Sequence, residues 1–134
     1  MIAFITLIAL LIVEPGSEII IRDQWLRPSA KKMATALYFT IKNNSDEPDT
    51  LYSVESGISD KIEIHETYSS GDLMGMREIG EIIIEAEDEV ILEPGGMHIM
   101  VMKLKQDINI GDEIDFILYF RNDGEITITA EAKK

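Results

Sequence analysis

Short runs of alternating apolar and polar side chains recur along most of this chain. In segment 61–65, Ile62 and Ile64 alternate with polar or charged residues. A period of two is typical of a β-strand with one buried face, because successive side chains point to opposite sides of a sheet. Such runs, bounded by turn residues, predict nine strands. These are 18–22, 35–42, 50–55, 61–67, 73–79, 90–92, 98–104, 114–121 and 125–131.

The segments between the predicted strands are rich in Gly, Asn, Asp and Ser, and no stretch has convincing helical periodicity. Asn122-Asp123-Gly124 predicts a hairpin with Gly124 in the left-handed conformation. Nine short strands joined by such turns favour an all-β fold, a Greek-key β-sandwich that brings sequence-distant strands together. The length suits one domain, which we place at residues 18–134.

The first thirteen residues, MIAFITLIALLIV, form an apolar run. It is too short to span a membrane comfortably, and it has the length of a signal-peptide core. No basic residue precedes it, and no small-residue cleavage sequence follows. We expect residues 1–17 to be an export leader or an N-terminal anchor with a short linker, and the protein to be periplasmic or otherwise extracytoplasmic. A first buried strand is the alternative.

The net charge limits the partners that the protein can bind, and the absence of cysteine limits the side chains that could bind a metal. The formal net charge is -13, so nucleic acid would be repelled and is not expected as a partner. The chain has no cysteine. A thiolate site would be lost to oxidation outside the cytoplasm, whereas imidazole and thioether ligands persist there.

Both histidines of the chain have a methionine at short spacing. His65 is followed by Met76, and His98 by Met100, in the pattern His-x10-Met-x21-His-x-Met. Thioether sulfur is a soft, neutral donor that suits Cu(I) better than Zn²⁺, Mg²⁺ or Ca²⁺. A blue-copper centre needs a thiolate, which this chain lacks. We therefore predict one Cu(I) ion bound by His65, Met76, His98 and Met100.

The alternation of apolar and polar residues in segments 61–65 and 97–102 places both histidines opposite the apolar side chains of their strands. We therefore expect both to face outward, with His98 and Met100 on one face. The alternative is that the methionines are ordinary core residues. Met74 shares the face of Met76 and is a substitute ligand or shield, whereas Met102 is expected to screen the site. The side chains expected to orient His65 are Glu63 and Glu66.

The spacing of these four residues resembles the motif of the periplasmic copper chaperones of the PCu(A)C family. Trp25-Leu26-Arg27, Ile64-His65-Glu66-Thr67 and the segment Pro94-Gly95-Gly96-Met97-His98-Ile99-Met100 resemble that family as well. The resemblance covers about residues 18 to 131. It implies a cupredoxin-like β-sandwich with one surface Cu(I) site. The implied partner is a copper-receiving protein, either a respiratory oxidase subunit or another copper chaperone.

Two other functional classes remain open. The first is a metal-free adhesion or interaction sandwich of the cell envelope, and the second is a copper-dependent redox enzyme. The sequence has no convincing motif for a nucleophile-base pair, a phosphate-binding loop or a pair of catalytic carboxylates. We therefore do not expect an enzyme. A monomer is the default expectation.

Overall fold

The structure is a computed structural model that describes residues 18–134. The predicted leader, residues 1–17, lies outside the described residues. All regular secondary structure in the described range is β, and no helix there is long and apolar enough to cross a membrane. The ten strands are β1 Ile19–Leu26, β2 Thr35–Asn43, β3 Asp49–Glu55, β4 Lys61–Ser70, β5 Leu73–Glu78, β6 Ile82–Ile84, β7 Glu89–Ile91, β8 Met97–Met102, β9 Glu113–Phe120 and β10 Gly124–Ala132.

These strands form one mixed sheet in the order β5-β4-β8-β2-β1-β10-β9-β3-β6, and β7 also pairs with β2. All pairs are antiparallel except β1 with β10. The sheet encloses a single core, in which side chains of β2, β4 and β8 pack with those of β3, β9 and β10. The prediction of an all-β fold is confirmed.

The alternating pattern accounts for the core. In β9, Phe116, Leu118 and Phe120 are buried and alternate with more exposed residues. Strand β2 differs because it has neighbours on both sides and is buried along most of its length. Its residues Leu37 and Phe39 enter the core, whereas Tyr38 points to the opposite side of the sheet.

Most strands begin or end a few residues from their predicted bounds, and the largest departures are at β1 and β6. Strand β1 continues to Leu26 because a bulge at Asp23, with φ at 62°, lets the chain resume pairing at Trp25. Strand β6 was not predicted, since its three consecutive isoleucines show no alternation. It is held by β3 and by the buried side chain of Asn43, whose amide donates to the carbonyl of Ile84 at 3.1 Å.

Candidate metal site

Three neighbouring strands carry the four predicted ligands. His65 of β4 is paired directly with His98 of β8, and Met76 of β5 is paired with Thr67 of β4. Directly paired residues point to the same side of a sheet, and so do residues two apart in one strand. All four predicted ligands therefore lie on one side, which we call the histidine face. It is the side of β5, β4 and β8 opposite the buried Ile64 and Ile99.

The two imidazole rings lie close together at the centre of this face. Their centroids are 5.8 Å apart. The Nε2 atom of His65 is 2.9 Å from the carboxylate of Glu63, and Nδ1 of His98 is 3.3 Å from the carbonyl oxygen of Gly96. Because both oxygens are acceptors, these two nitrogens carry the protons. The lone pairs then lie on Nδ1 of His65 and Nε2 of His98.

Those two remaining nitrogens are buried and have no hydrogen-bond partner among the described residues. Buried polar atoms without partners are rare because each forfeits the hydrogen bonds it would make to water. Two such atoms on adjacent rings are accounted for if both lone pairs are directed at a cation. A carboxylate or a carbonyl behind the ring is also the usual support of a histidine that binds metal. The residues present therefore fit a metal ion.

The expectation that both histidines face outward is wrong for His98, which is only 4% exposed. The prediction failed because a neighbouring strand covers this part of the face. Tyr38 of β2 places its ring 6.3 Å from that of His98, and Trp25 of β1 lies 4.9 Å from Tyr38. The guanidinium of Arg27 lies over both aromatic rings, at 5.5 and 5.6 Å. His65 is less covered, with its side chain 15% exposed.

Burial also changes the acid-base chemistry of His98. Loss of solvent lowers its pKa, the hydrogen bond to the Gly96 carbonyl opposes that change, and the nearby His65 lowers the pKa further. A lowered pKa keeps the imidazole neutral at pH 7, which is the form that binds a metal ion.

The two methionines approach the histidine pair from opposite ends. Met76 lies diagonal to His65 toward the end of β4, and Met100 lies diagonal to it toward the start of β4. In a flat sheet, the Cα atoms of the two methionines would be about 17 Å apart. Met76 is 54% exposed, whereas Met100 is half-buried. The histidines thus form the centre of the candidate site, and a metal bound by all four residues would require both thioethers to lean inward.

The sequence also predicted residues that orient or screen the four ligands. Glu63 contacts His65, but Glu66 instead pairs with Arg77 at 2.7 Å. Met74 and Met102 lie on the histidine face, each two residues beyond a predicted ligand. No group of three or more His, Cys, Asp or Glu side chains within residues 18–134 is placed to hold a metal.

Sequence reasoning missed two contributors to the site. One is the aromatic cover of Tyr38, and the other is the Gly96 carbonyl that orients His98. Alternation in β2 does place Tyr38 opposite Leu37 and Phe39. The signal for Tyr38 was therefore present, but the adjacency of β2 and β8 cannot be read from a single sequence.

The fold is that of the PCuAC domains. The apo PCuAC domain from PmoF1 superposes with a TM-score of 0.74 at 23% identity, covering 90% of this chain and 97% of that one. The copper-bound PCuAC domain from PmoF2 gives 0.73 at 25% identity, covering 90% and 96%. The Cu(I) form of DR1885 from Deinococcus radiodurans gives 0.66 at 26% identity, covering 85% and 78%. The predicted cupredoxin-like fold is thereby confirmed.

The chain belongs to the LpqE-like family, described as "Putative lipoprotein LpqE-like", whose model matches residues 19–132. An uncharacterised protein of Rickettsia prowazekii is 31% identical over 101 residues, which cover 72% of this chain and 56% of that protein. A protein of Leifsonia xyli subsp. xyli that is named "Putative lipoprotein Lxx21020" is 28% identical over 120 residues. The match covers 87% of this chain and 71% of that protein. The chain thus spans just over half of the Rickettsia relative.

Proposed function

We propose that this protein is an extracytoplasmic Cu(I) chaperone that holds one copper ion at His65, Met76, His98 and Met100. The observation that carries the proposal is the pair of buried ring nitrogens without partners, on rings 5.8 Å apart. Two neutral imidazoles flanked by neutral thioethers suit a soft monovalent ion. Support comes from the structural relatives named as copper-bound and Cu(I)-bound proteins at 25% and 26% identity.

The proposed reaction is transfer by ligand exchange. Donors of a receiving protein replace the thioethers one at a time, the copper stays monovalent, and no covalent bond of the protein changes. Exposure of Met76 makes it the natural first ligand to be replaced, since His98 is buried. The receiving protein is a respiratory oxidase subunit or another copper chaperone. The lipoprotein description of the family supports export or an N-terminal anchor.

Anaerobic titration of the full chain with Cu(I), in competition with a chromogenic chelator, tests the proposal. We expect one ion per chain, and loss of that uptake in the double variant His98→Ala with Met100→Ala. Met33→Leu is a control for the loss of a thioether outside the candidate site, because the Met33 carbonyl accepts from the backbone N–H of Leu104, six residues beyond His98. X-ray absorption of the loaded protein should report both nitrogen and sulfur neighbours.

Other results would support the competing functions. No Cu(I) uptake by the wild-type chain would remove the chaperone proposal and leave a metal-free interaction domain. Uptake that is unchanged in the double variant would place the copper elsewhere. Turnover of oxygen or peroxide by the loaded protein would identify a redox enzyme.

A further inference from the structure

Beyond the body of the sheet, β4 and β5 continue as a two-stranded ribbon of residues 67–76. The last pair between β4 and β8 joins Glu66 to Met97, so within the described residues the ribbon has no third strand beside it. Strand β5 is also one of the two edges of the sheet that residues 18–134 form. This projecting ribbon carries the predicted ligand Met76 and a further methionine, Met74.

The two faces of the ribbon differ in chemistry. On the face away from the histidines, Tyr68 lies so close over Gly75 that an added Cβ would be 2.8 Å from its hydroxyl. Arg77 lies 5.0 Å from the Tyr68 ring and pairs with Glu66. These contacts occupy that face. The opposite face, which is continuous with the histidine face, leaves both thioethers exposed.

By strand register, candidate copper donors follow one another from near the tip of this ribbon to the histidine pair. Met74 is 75% exposed, Met76 is 54% exposed, the His65 side chain is 15% exposed and His98 is 4% exposed. Met74 and Met76 are two residues apart on one strand, which places their Cα atoms about 7 Å apart. Three rotatable bonds give each methionine side chain the freedom to bring its sulfur toward a shared ion.

We propose that Met74 is a transient fifth Cu(I) ligand and that the tip of the ribbon is the port through which copper enters and leaves. The inference rests on the proposed function of the histidine site. In the exchange, a lone pair of the Met74 sulfur forms a bond to Cu(I) as the bond to a donor of the incoming complex breaks. Copper remains monovalent and no proton moves, because a thioether is neutral. Delivery follows the same steps in reverse.

A transient ligand has a specific kinetic signature. Removing it slows loading and unloading by the same factor, so the equilibrium affinity is unchanged. A resident ligand behaves differently, because its loss weakens the equilibrium affinity. An exposed methionine with no role changes neither quantity.

Stopped-flow transfer of Cu(I) between the full chain and bicinchoninate, in both directions and without oxygen, measures these quantities. Met74→Leu is expected to slow both directions about tenfold, or about 1.4 kcal/mol in the barrier, with affinity unchanged. The substitution nearly conserves volume at an exposed position, so folding should be unaffected. Met76→Leu is expected to weaken the affinity itself, and Met33→Leu should change neither quantity.

A position swap tests the role of the face. Leu73 precedes Met74 on β5 and therefore points to the other side of the ribbon. The double variant Leu73→Met with Met74→Leu keeps the composition of the ribbon but moves the thioether to the opposite face. We expect the swap to be as slow as Met74→Leu alone. Wild-type rates in the swap would overturn the assignment of the port to this face.

Two further results would overturn the proposal. Unchanged transfer rates in Met74→Leu would show that the residue is not on the route. A loss of affinity as large as that of Met76→Leu would make Met74 a resident ligand. Both results differ from failure of the proposed function, which would appear as no Cu(I) uptake by the wild-type chain.

Discussion

At His98, burial and one backbone carbonyl decide which ring nitrogen is left without a hydrogen-bond partner. The Gly96 carbonyl fixes the proton on Nδ1, and the same oxygen accepts from the backbone N–H of Thr67 at 3.0 Å. One turn carbonyl therefore ties the histidine to the first residue of the ribbon. Tyr38 covers the ring, so that the free Nε2 is shielded from water.

The stability of the metal-free protein should fall between pH 7 and pH 5, partly because of His98. In the unfolded chain its imidazole titrates near 6.5, whereas burial lowers the pKa in the folded state. Below the unfolded pKa, the unfolded chain therefore binds more protons than the folded protein. The free energy of unfolding decreases until the folded His98 is itself protonated. Chemical denaturation at the two pH values measures this loss.

His98→Gln is the control for that experiment, because its amide can still donate to the Gly96 carbonyl but does not titrate. The variant should lose less stability than the wild type over the same pH interval. Equal losses in the two proteins would assign the pH dependence to titratable groups other than His98.

Glu63→Gln should weaken Cu(I) binding about 10- to 100-fold, the usual cost of losing a carboxylate behind a metal-binding histidine. The carboxylate accepts from Nε2 of His65 at 2.9 Å and makes Nδ1 a stronger donor. Competition with a Cu(I) chelator measures the change. Glu66→Gln is matched in chemistry and differs in its partner, since Glu66 pairs with Arg77. An equal loss in both variants would indicate a general charge effect and not orientation of His65.

At the scale of the strands, the ribbon depends on the pairing of β4 with β5, since no third strand lies beside it among the described residues. Tyr68→Ala removes both the cover of Gly75 and the cation-π contact with Arg77. An exposed contact of this kind contributes about 0.5–1 kcal/mol. Amide hydrogen exchange in residues 67–76 should therefore become roughly two- to fivefold faster, with little change in the core strands.

Tyr52→Ala is the matched control for the ribbon. Tyr52 is 41% exposed, close to the 39% of Tyr68, and it also lies beside an arginine, with Arg121 at 4.8 Å. It belongs to β3, which is seven strands away from β5 in the sheet order. Faster exchange of the ribbon in this variant would mean that the effect is global.

The periodic pattern predicted most strands because their stability depends on one buried face. The pattern did not predict features that depend on contacts with other strands. The bulge at Asp23 depends on pairing with β2, and β6 depends on its contacts with β3 and Asn43. The same limit applies to the site. Alternation placed His98 opposite the core correctly, but its burial is determined by the aromatic residues of adjacent strands.

For the whole molecule, topology brings the four predicted ligands to one face. β4 lies between β5 and β8 in the sheet, although β8 follows β5 only after β6 and β7 in the chain. His65 and His98 are thus neighbours in space but 33 positions apart in sequence. In the unfolded chain, bringing these donors to one ion would require closing that loop at an entropic cost. In the folded protein the two strands are already paired, so binding an ion there does not incur that entropic cost.

Cu(I) should therefore stabilise the folded protein as a whole. A ligand at about 100 times its dissociation constant adds about 2.7 kcal/mol to the free energy of unfolding if it binds only the native state. Anaerobic denaturation with Cu(I) buffered at that level should approach this value for the wild type and show no gain for His98→Ala with Met100→Ala. A smaller gain would measure binding by the unfolded chain. If the wild type binds copper but gains no stability, the same donors must bind equally well without the sheet, and the paired histidines of β4 and β8 would not be the site.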